Sequence, residues 1–125
     1  KVVKATRTRY SLEELEAIGK GNRSFVDKML KLFIQNAEEG LNGLQVLFDK
    51  NDFEGVRKLA HRIKPSVKMM KIQEISDEVR ELEIEINNQG KSERMQYLIN
   101  HILEVLQDVV TEIKENEHEQ VTRNF

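Results

Sequence analysis

An all-α fold is predicted: an antiparallel up-down-up-down four-helix bundle with a short helix capping its N-terminal end. Three observations lead there. One proline and six glycines punctuate 125 residues, too few turn-formers for a β-sandwich or barrel. Apolar residues recur at steps of three and four along most of the chain instead of alternating. Hydrophobic residues make up 38% and charged ones 34%, the balance of amphipathic helices that bury one stripe and leave the rest in water. The length fits one domain.

Residues 1–10 (KVVKATRTRY) are basic and hold no period, so they are expected to form a linker or arm. Ser11 precedes Glu14 by three positions, the Ser-x-x-Glu capping box, and predicts a short helix over about 11–19 that stops at Gly19-Lys20-Gly21. A second helix is expected from Asn22–Ser24 to about Asp49, with the stripe Val26, Met29, Leu30, Phe33, Ala37, Leu41, Leu44, Leu47 and Phe48. Gly40 and Gly43 lie inside it, each costing about 1 kcal/mol relative to alanine. They mark either a close approach of another helix or a tolerated cost.

Asn51-Asp52 forms the next break, with Asp52 as N-cap of a third helix. Its stripe is Phe53, Val56, Leu59, Ala60, Ile63, Val67 and Met70. Pro65 falls inside it. An interior proline costs about 3 kcal/mol, but the stripe stays in phase across it and Lys64 is a poor N-cap, so the prediction is a continuous, kinked helix. A fourth helix follows over about 72–88 (Ile72, Ile75, Val79, Leu82, Ile86) and ends before Gly90. Ser92 opens the last, with Met95, Leu98, Ile99, Ile102, Leu106, Val109 and Ile113 inward. The bundle thus spans 11–114, and 115–125 is expected to be a frayed polar tail.

Composition removes several function classes. Without cysteine there is no disulfide framework, thiolate zinc site, iron–sulfur cluster or cysteine nucleophile. Twenty Lys+Arg against 22 Asp+Glu give a net charge of −2, unlike a histone-like basic protein. No apolar run approaches the ~20 residues that span a bilayer, and no secretory signal opens the chain. The first residue is Lys1 and not Met, which suggests a piece of a longer polypeptide.

The third helix is the unusual one. At 100° per residue, His61 falls about 150° from the apolar stripe and should face solvent from mid-helix. One turn before it stand Arg57 and Lys58, one turn after it Lys64 and Pro65, and Lys68 a turn further. Between Glu54 and Glu74 there is no acidic residue, whereas Arg57, Lys58, Arg62, Lys64, Lys68 and Lys71 supply six cations. An exposed imidazole with an unprotonated ring nitrogen is a nucleophile toward phosphorus. Neighbouring cations disfavour protonation of such a ring, which keeps its nitrogen free, and would pair with the oxygens of an acquired phosphoryl group. No carboxylate partner for the ring is evident, and no glycine-rich phosphate loop or nucleotide motif. The expectation is a chain that receives and passes on a phosphoryl group, a substrate more than a catalyst. The bland reading is a solvated histidine on a charged face. His101, about 110° from its stripe, is read as structural. His118 has no partner at metal spacing. Glu38-Glu39 and the Glu81, Glu83, Glu85 cluster are read as solvated faces, Met69-Met70 as core, and Ile84 as an isolated exposed apolar residue.

The stretch Leu59-Ala60-His61-Arg62-Ile63-Lys64-Pro65-Ser66-Val67-Lys68-Met69-Met70 resembles the signature of histidine-containing phosphotransfer (HPt) domains, Ala-His-x-Leu-Lys-Gly-Ser followed by apolar residues. Asp52-Phe53 at the helix start, Phe25 to Leu47 upstream, and Ile72, Ile75, Val79, Leu82, Glu83 downstream extend the similarity to about residues 11–112. The resemblance implies a four-helix bundle that shuttles a phosphoryl group between receiver-domain aspartates in a multistep phosphorelay, without an ATP site of its own. By position, His61 would be the phosphoacceptor and Lys64 would steady the phosphoryl oxygens. Ser66 falls at a small position nearer the bundle, with a packing or local hydrogen-bond role. No cofactor is implied for this chain; Mg2+ would belong to the receiver. Pro65 departs from the family's glycine, which leaves room for the partner's loops.

The expected docking surface for response-regulator receiver domains joins Gln35, Asn36 and Glu39 of the second helix to Arg57, Lys58, Pro65 and Lys68. The missing initiator Met and the arm at 1–10 further suggest the C-terminal module of a hybrid sensor kinase, with a free-standing transfer protein as the alternative, cytoplasmic in either case (tethered to a membrane-bound kinase in the first). The isolated domain is expected to be monomeric, with no nucleic-acid partner and no membrane insertion. Two other classes stay open. One is a nucleic-acid-binding module using the basic third helix, for which two Tyr, five Phe and no Trp offer little stacking surface. The other is a non-catalytic helical interaction module.

Overall fold

Helix boundaries fall where side chains can satisfy free backbone amides. The structure, a computed structural model, describes residues 9–88 and 91–123, with the side chains of 87–88 and 117–123 left aside. The arm over 1–8, Gly90, the His118 side chain and residues 124–125 lie outside what is described. Helix α1 spans Glu13–Gly19. Its predicted N-cap, Ser11, sits one residue too early: Ser11 Oγ accepts the Glu13 N–H at 3.1 Å, while Leu12 occupies the cap without a side-chain bond. The expected capping box with Glu14 therefore does not form. Glu13, Glu14 and Glu16 in the first turn complement the helix dipole instead.

Helix α2 spans Arg23–Asp49, and Asn22 Oδ1 accepts the Phe25 N–H at 3.1 Å. Helix α3 spans Phe53–Met69, capped as predicted by Asp52, whose Oδ1 accepts the Gly55 N–H at 3.0 Å. It runs unbroken through Pro65. Helix α4 spans Gln73–Asn88. Helix α5 spans Glu93–Arg123, opened by Ser92 Oγ accepting from the Met95 N–H at 3.1 Å. It continues past Glu115, where fraying is expected from sequence. Glu, Lys and Gln are good helix formers even without an apolar stripe, and Asn116 donates to the Tyr10 hydroxyl at 2.6 Å, which ties this end of α5 to the chain before α1. Arg9 does the same through Asp108 at 2.6 Å.

Among the described residues there are five helices and no strand. Their stripes meet in one apolar core that includes Leu15 of α1, Phe33 and Leu44 of α2, Ile63 and Val67 of α3, Leu82 of α4, and Leu98 and Leu106 of α5. No polar or charged described residue is buried in it. Helix α3 packs on α2 and α4, α5 packs on α4 and α2, and α1 packs on α2. Among the described residues, α2 and α4 therefore flank the polar face of α3 on its two sides. No helix among the described residues is long and apolar enough to cross a membrane.

The two glycines of α2 face α3. A Cβ added at Gly40 would lie 2.6 Å from Ile63 Cδ1, and one at Gly43 would lie 2.8 Å from Leu59 Cδ1. The close-approach reading holds at both. They differ in how freely the neighbour can yield: Ile63 is buried and Leu59 is half-buried. Alanine at either position gains about 1 kcal/mol of helix propensity, and overpacking a core costs about 1–3 kcal/mol. Gly40→Ala should thus lose about 1 kcal/mol net, while Gly43→Ala should be neutral or stabilising. Urea unfolding of the two variants checks this, and equal effects would show that the packing around Ile63 is looser than described.

Candidate functional site

The period that buries Ala60, Ile63 and Val67 turns His61 outward, and its side chain is 66% exposed in the middle of α3. The ring nevertheless has a partner. His61 Nδ1 lies 2.7 Å from Oε2 of Glu83 on α4, and Oε1 of the same carboxylate accepts from Lys64 Nζ at 2.8 Å. Glu83 is only 15% exposed, set in the seam between α3 and α4. Two expectations are corrected here: the histidine does have a carboxylate that orients it, and Glu83 is not on a solvated face. The α4 stripe accounts for the placement. Glu83 follows buried Leu82 and stands one turn after buried Val79, at the edge of the stripe facing α3.

The electrostatics fix the ring's tautomer. The Lys64 ammonium, first, and the His61 hydrogen bond hold the Glu83 carboxyl below its ordinary range, against partial burial that pushes it up. An ionised carboxylate can only accept, so Nδ1 carries the proton that it donates to Glu83. In a neutral ring this leaves the lone pair on Nε2, across the ring from Glu83.

The six cations are less free than their sequence interval suggests. Arg57 pairs with Glu54 one turn earlier, and this bond holds its guanidinium above its usual range. Arg62 pairs with Glu39 of α2, Lys64 with Glu83 of α4, and Lys71 with Glu13 of α1 at 3.2 Å. Lys58 and Lys68 are exposed and form no ion pair among the described residues. The uncompensated basic surface expected from sequence is therefore corrected to two open lysines, because Glu54 at the start of α3 and acids from three neighbouring helices engage the other four cations.

The predicted residues divide between two flanks. His61, Lys64 and Glu83 join α3 to α4, while Arg62 and Glu39 join α3 to α2. Gln35 is exposed and Asn36 half-buried on α2, and no hydrogen bond connects either to the His61 cluster. Pro65 and Lys68 are exposed, and Ser66 is half-buried nearer the core. His101 has a structural setting: Nδ1 bonds Glu78 and the ring stacks on Tyr97 with centroids 6.1 Å apart. Glu81 accepts two bonds from Arg94, each 2.7 Å, so it too belongs to an interhelical pair and not to a free face. Glu38 likewise pairs with Lys114 at 3.1 Å.

With this geometry in place, comparison with known families is informative. The model of the Hpt domain family matches residues 28–116, an interval that holds His61, Lys64 and Glu83 and omits α1. No curated protein and no solved structure matches the chain.

The depressed Glu83 carboxyl carries a pH signature. Its contribution to stability is complete above the unfolded glutamate value of about 4.3, and it is lost as pH falls through the lower folded value. Glu83→Gln should therefore melt below the native chain at neutral pH, and the gap should close in the acid range. Thermal melts of both proteins between pH 3 and pH 7 measure it; a gap independent of pH would mean that the charge of Glu83 adds nothing.

Proposed function

The chain belongs to the Hpt domain family, and on that premise we propose that His61 accepts a phosphoryl group from a receiver-domain aspartate and passes it to another. Hpt domains are phosphocarriers of two-component phosphorelays, not enzymes, and their partners are response-regulator receiver domains. The single observation that supports His61 as the carrier in this chain is the Glu83 carboxylate bridging His61 Nδ1 and Lys64 Nζ.

The chemistry follows from that bridge. The Nε2 lone pair attacks the phosphorus of the aspartyl phosphate, the phosphorus–oxygen bond breaks, and the aspartate carboxylate leaves with the bonding electrons. The ring keeps its Nδ1 proton and becomes positively charged. Glu83 already accepts from that proton, so the charge develops against a fixed anion. Lys64 spends one of its three N–H donors on Glu83 and has two left for phosphoryl oxygens. Transfer onward retraces the step. Mg2+ acts in the receiver, and this chain supplies no cofactor or ATP site.

We place the working unit at about residues 11–114, with its long helices antiparallel, up-down-up-down. Short connections between successive helices and the return of α5 to α2 support that arrangement. The receiver docks on the exposed face of α3 around Lys58, Pro65 and Lys68, reaching α4 beside Glu83 and α2 beside Gln35, Asn36 and Glu39. We further propose that the unit is monomeric and cytoplasmic, working either as a module of a hybrid sensor kinase or as a free-standing transfer protein. The nucleic-acid reading is not favoured, since four of the six cations are engaged by carboxylates.

Incubation with phosphorylated receivers from the source organism tests the role of His61. The native chain should take up an acid-labile, base-stable label and His61→Gln none. Glu83→Ala should slow the transfer about 10- to 100-fold, the scale of a misplaced reacting group. Equal label on the native chain and on His61→Gln would remove His61 from the relay.

A further inference from the structure

Pro65 is an exposed residue in the interior of α3, which continues on both sides of it. A proline nitrogen has no hydrogen to donate. The carbonyl that an amide at position 65 would serve, four residues back, is that of His61 itself. The residue carrying the reactive ring is thus also the one whose carbonyl loses its regular helical bond. His61 and Pro65 stand one turn apart and both are exposed, so the carbonyl left without its regular donor lies between two residues of the face from which a phosphoryl group would arrive.

In the free chain, water satisfies such a carbonyl. A partner that covers His61 expels that water, and an acceptor then left unpaired weakens the complex. We infer that the His61 carbonyl is a docking contact kept open by Pro65, and that the cognate receiver donates to it from a backbone amide or an amide or ammonium side chain bordering its acidic pocket. Pro65 is then a specificity-determining residue: receivers without a donor at that point dock poorly. This rests on the receiver-docking reading of His61.

The contact separates cleanly from the bulk of the proline ring. Pro65→Ala removes the ring and restores the N–H, which closes the carbonyl. Replacing Pro65 with lactic acid, the ester analogue of alanine, removes the ring and restores no N–H. The probe is the unphosphorylated receiver that labels His61 fastest in the transfer assay, and the readout is its dissociation constant for each chain. Pro65→Ala should bind about three- to tenfold more weakly than the native chain, the scale of one hydrogen bond. The ester chain should stay within about twofold of native binding, which one retained hydrogen bond requires. Unchanged affinity in both, or the same loss in both, overturns the inference and leaves only ring contact or indifference. Failure of the phosphocarrier reading shows separately, as absence of label on His61 in the native chain.

Discussion

One carboxylate joins the two helices that make the site. Glu83 accepts from His61 on one oxygen and from Lys64 on the other, so the α3–α4 seam sets the direction of the ring, its tautomer and the position of the nearest ammonium together. The seam is held by the tight connection between the helices. Lys71 adopts a left-handed conformation with φ of 53°, the Ile72 N–H returns to the Val67 carbonyl at 3.0 Å, and Met70 and Ile72 are both buried. The turn leaves little freedom of register between the helices. A one-residue slip of α4 would rotate Glu83 by about 100° and out of reach of the ring.

The other flank of α3 is built differently. Against α2 the contacts are apolar and close, with Gly40 and Gly43 allowing Ile63 and Leu59 to approach the α2 backbone, and Arg62–Glu39 closing the edge. The site thus has a packed side that locates α3 and a polar side that tunes the histidine. Pairing Arg62, Arg57 and Lys71 with acids also leaves Lys58 and Lys68 as exposed cations of α3 without an ion pair among the described residues. Two open lysines suit a transient, salt-sensitive contact with an acidic partner better than a nucleic-acid groove does.

Much of this was legible in the sequence, and the gaps have physical causes. Helix existence, the Asp52 cap, the start of the second helix near Asn22, the stripes and the outward direction of His61 all follow from local periodicity and capping chemistry. The Ser11 capping box failed because the helix begins one residue later than the motif implies, with Leu12 and not Ser11 at the cap. Glu83 was missed because its partner lies 22 residues away, and a wheel drawn for one helix says nothing about which edge faces its neighbour. The cation count erred for the same reason: Glu39, Glu13 and Glu83 all come from other helices.

The intact helix at Pro65 shows which effect wins when local and global preferences conflict. An interior proline costs about 3 kcal/mol, and ending the helix at Lys64 would avoid that cost. It would also release the phase that keeps Ile63 and Val67 inside, each 1–2% exposed. Burying side chains of that size contributes about 2 kcal/mol each, and the turn into α4 depends on Val67 accepting from Ile72. Lys64 would lose its bond to Glu83 as well, and the carboxylate would then orient the ring without its counter-ion. The burial on both sides of the proline therefore outweighs the missing bond, and the carbonyl that loses its regular donor is that of His61, whose side chain is exposed.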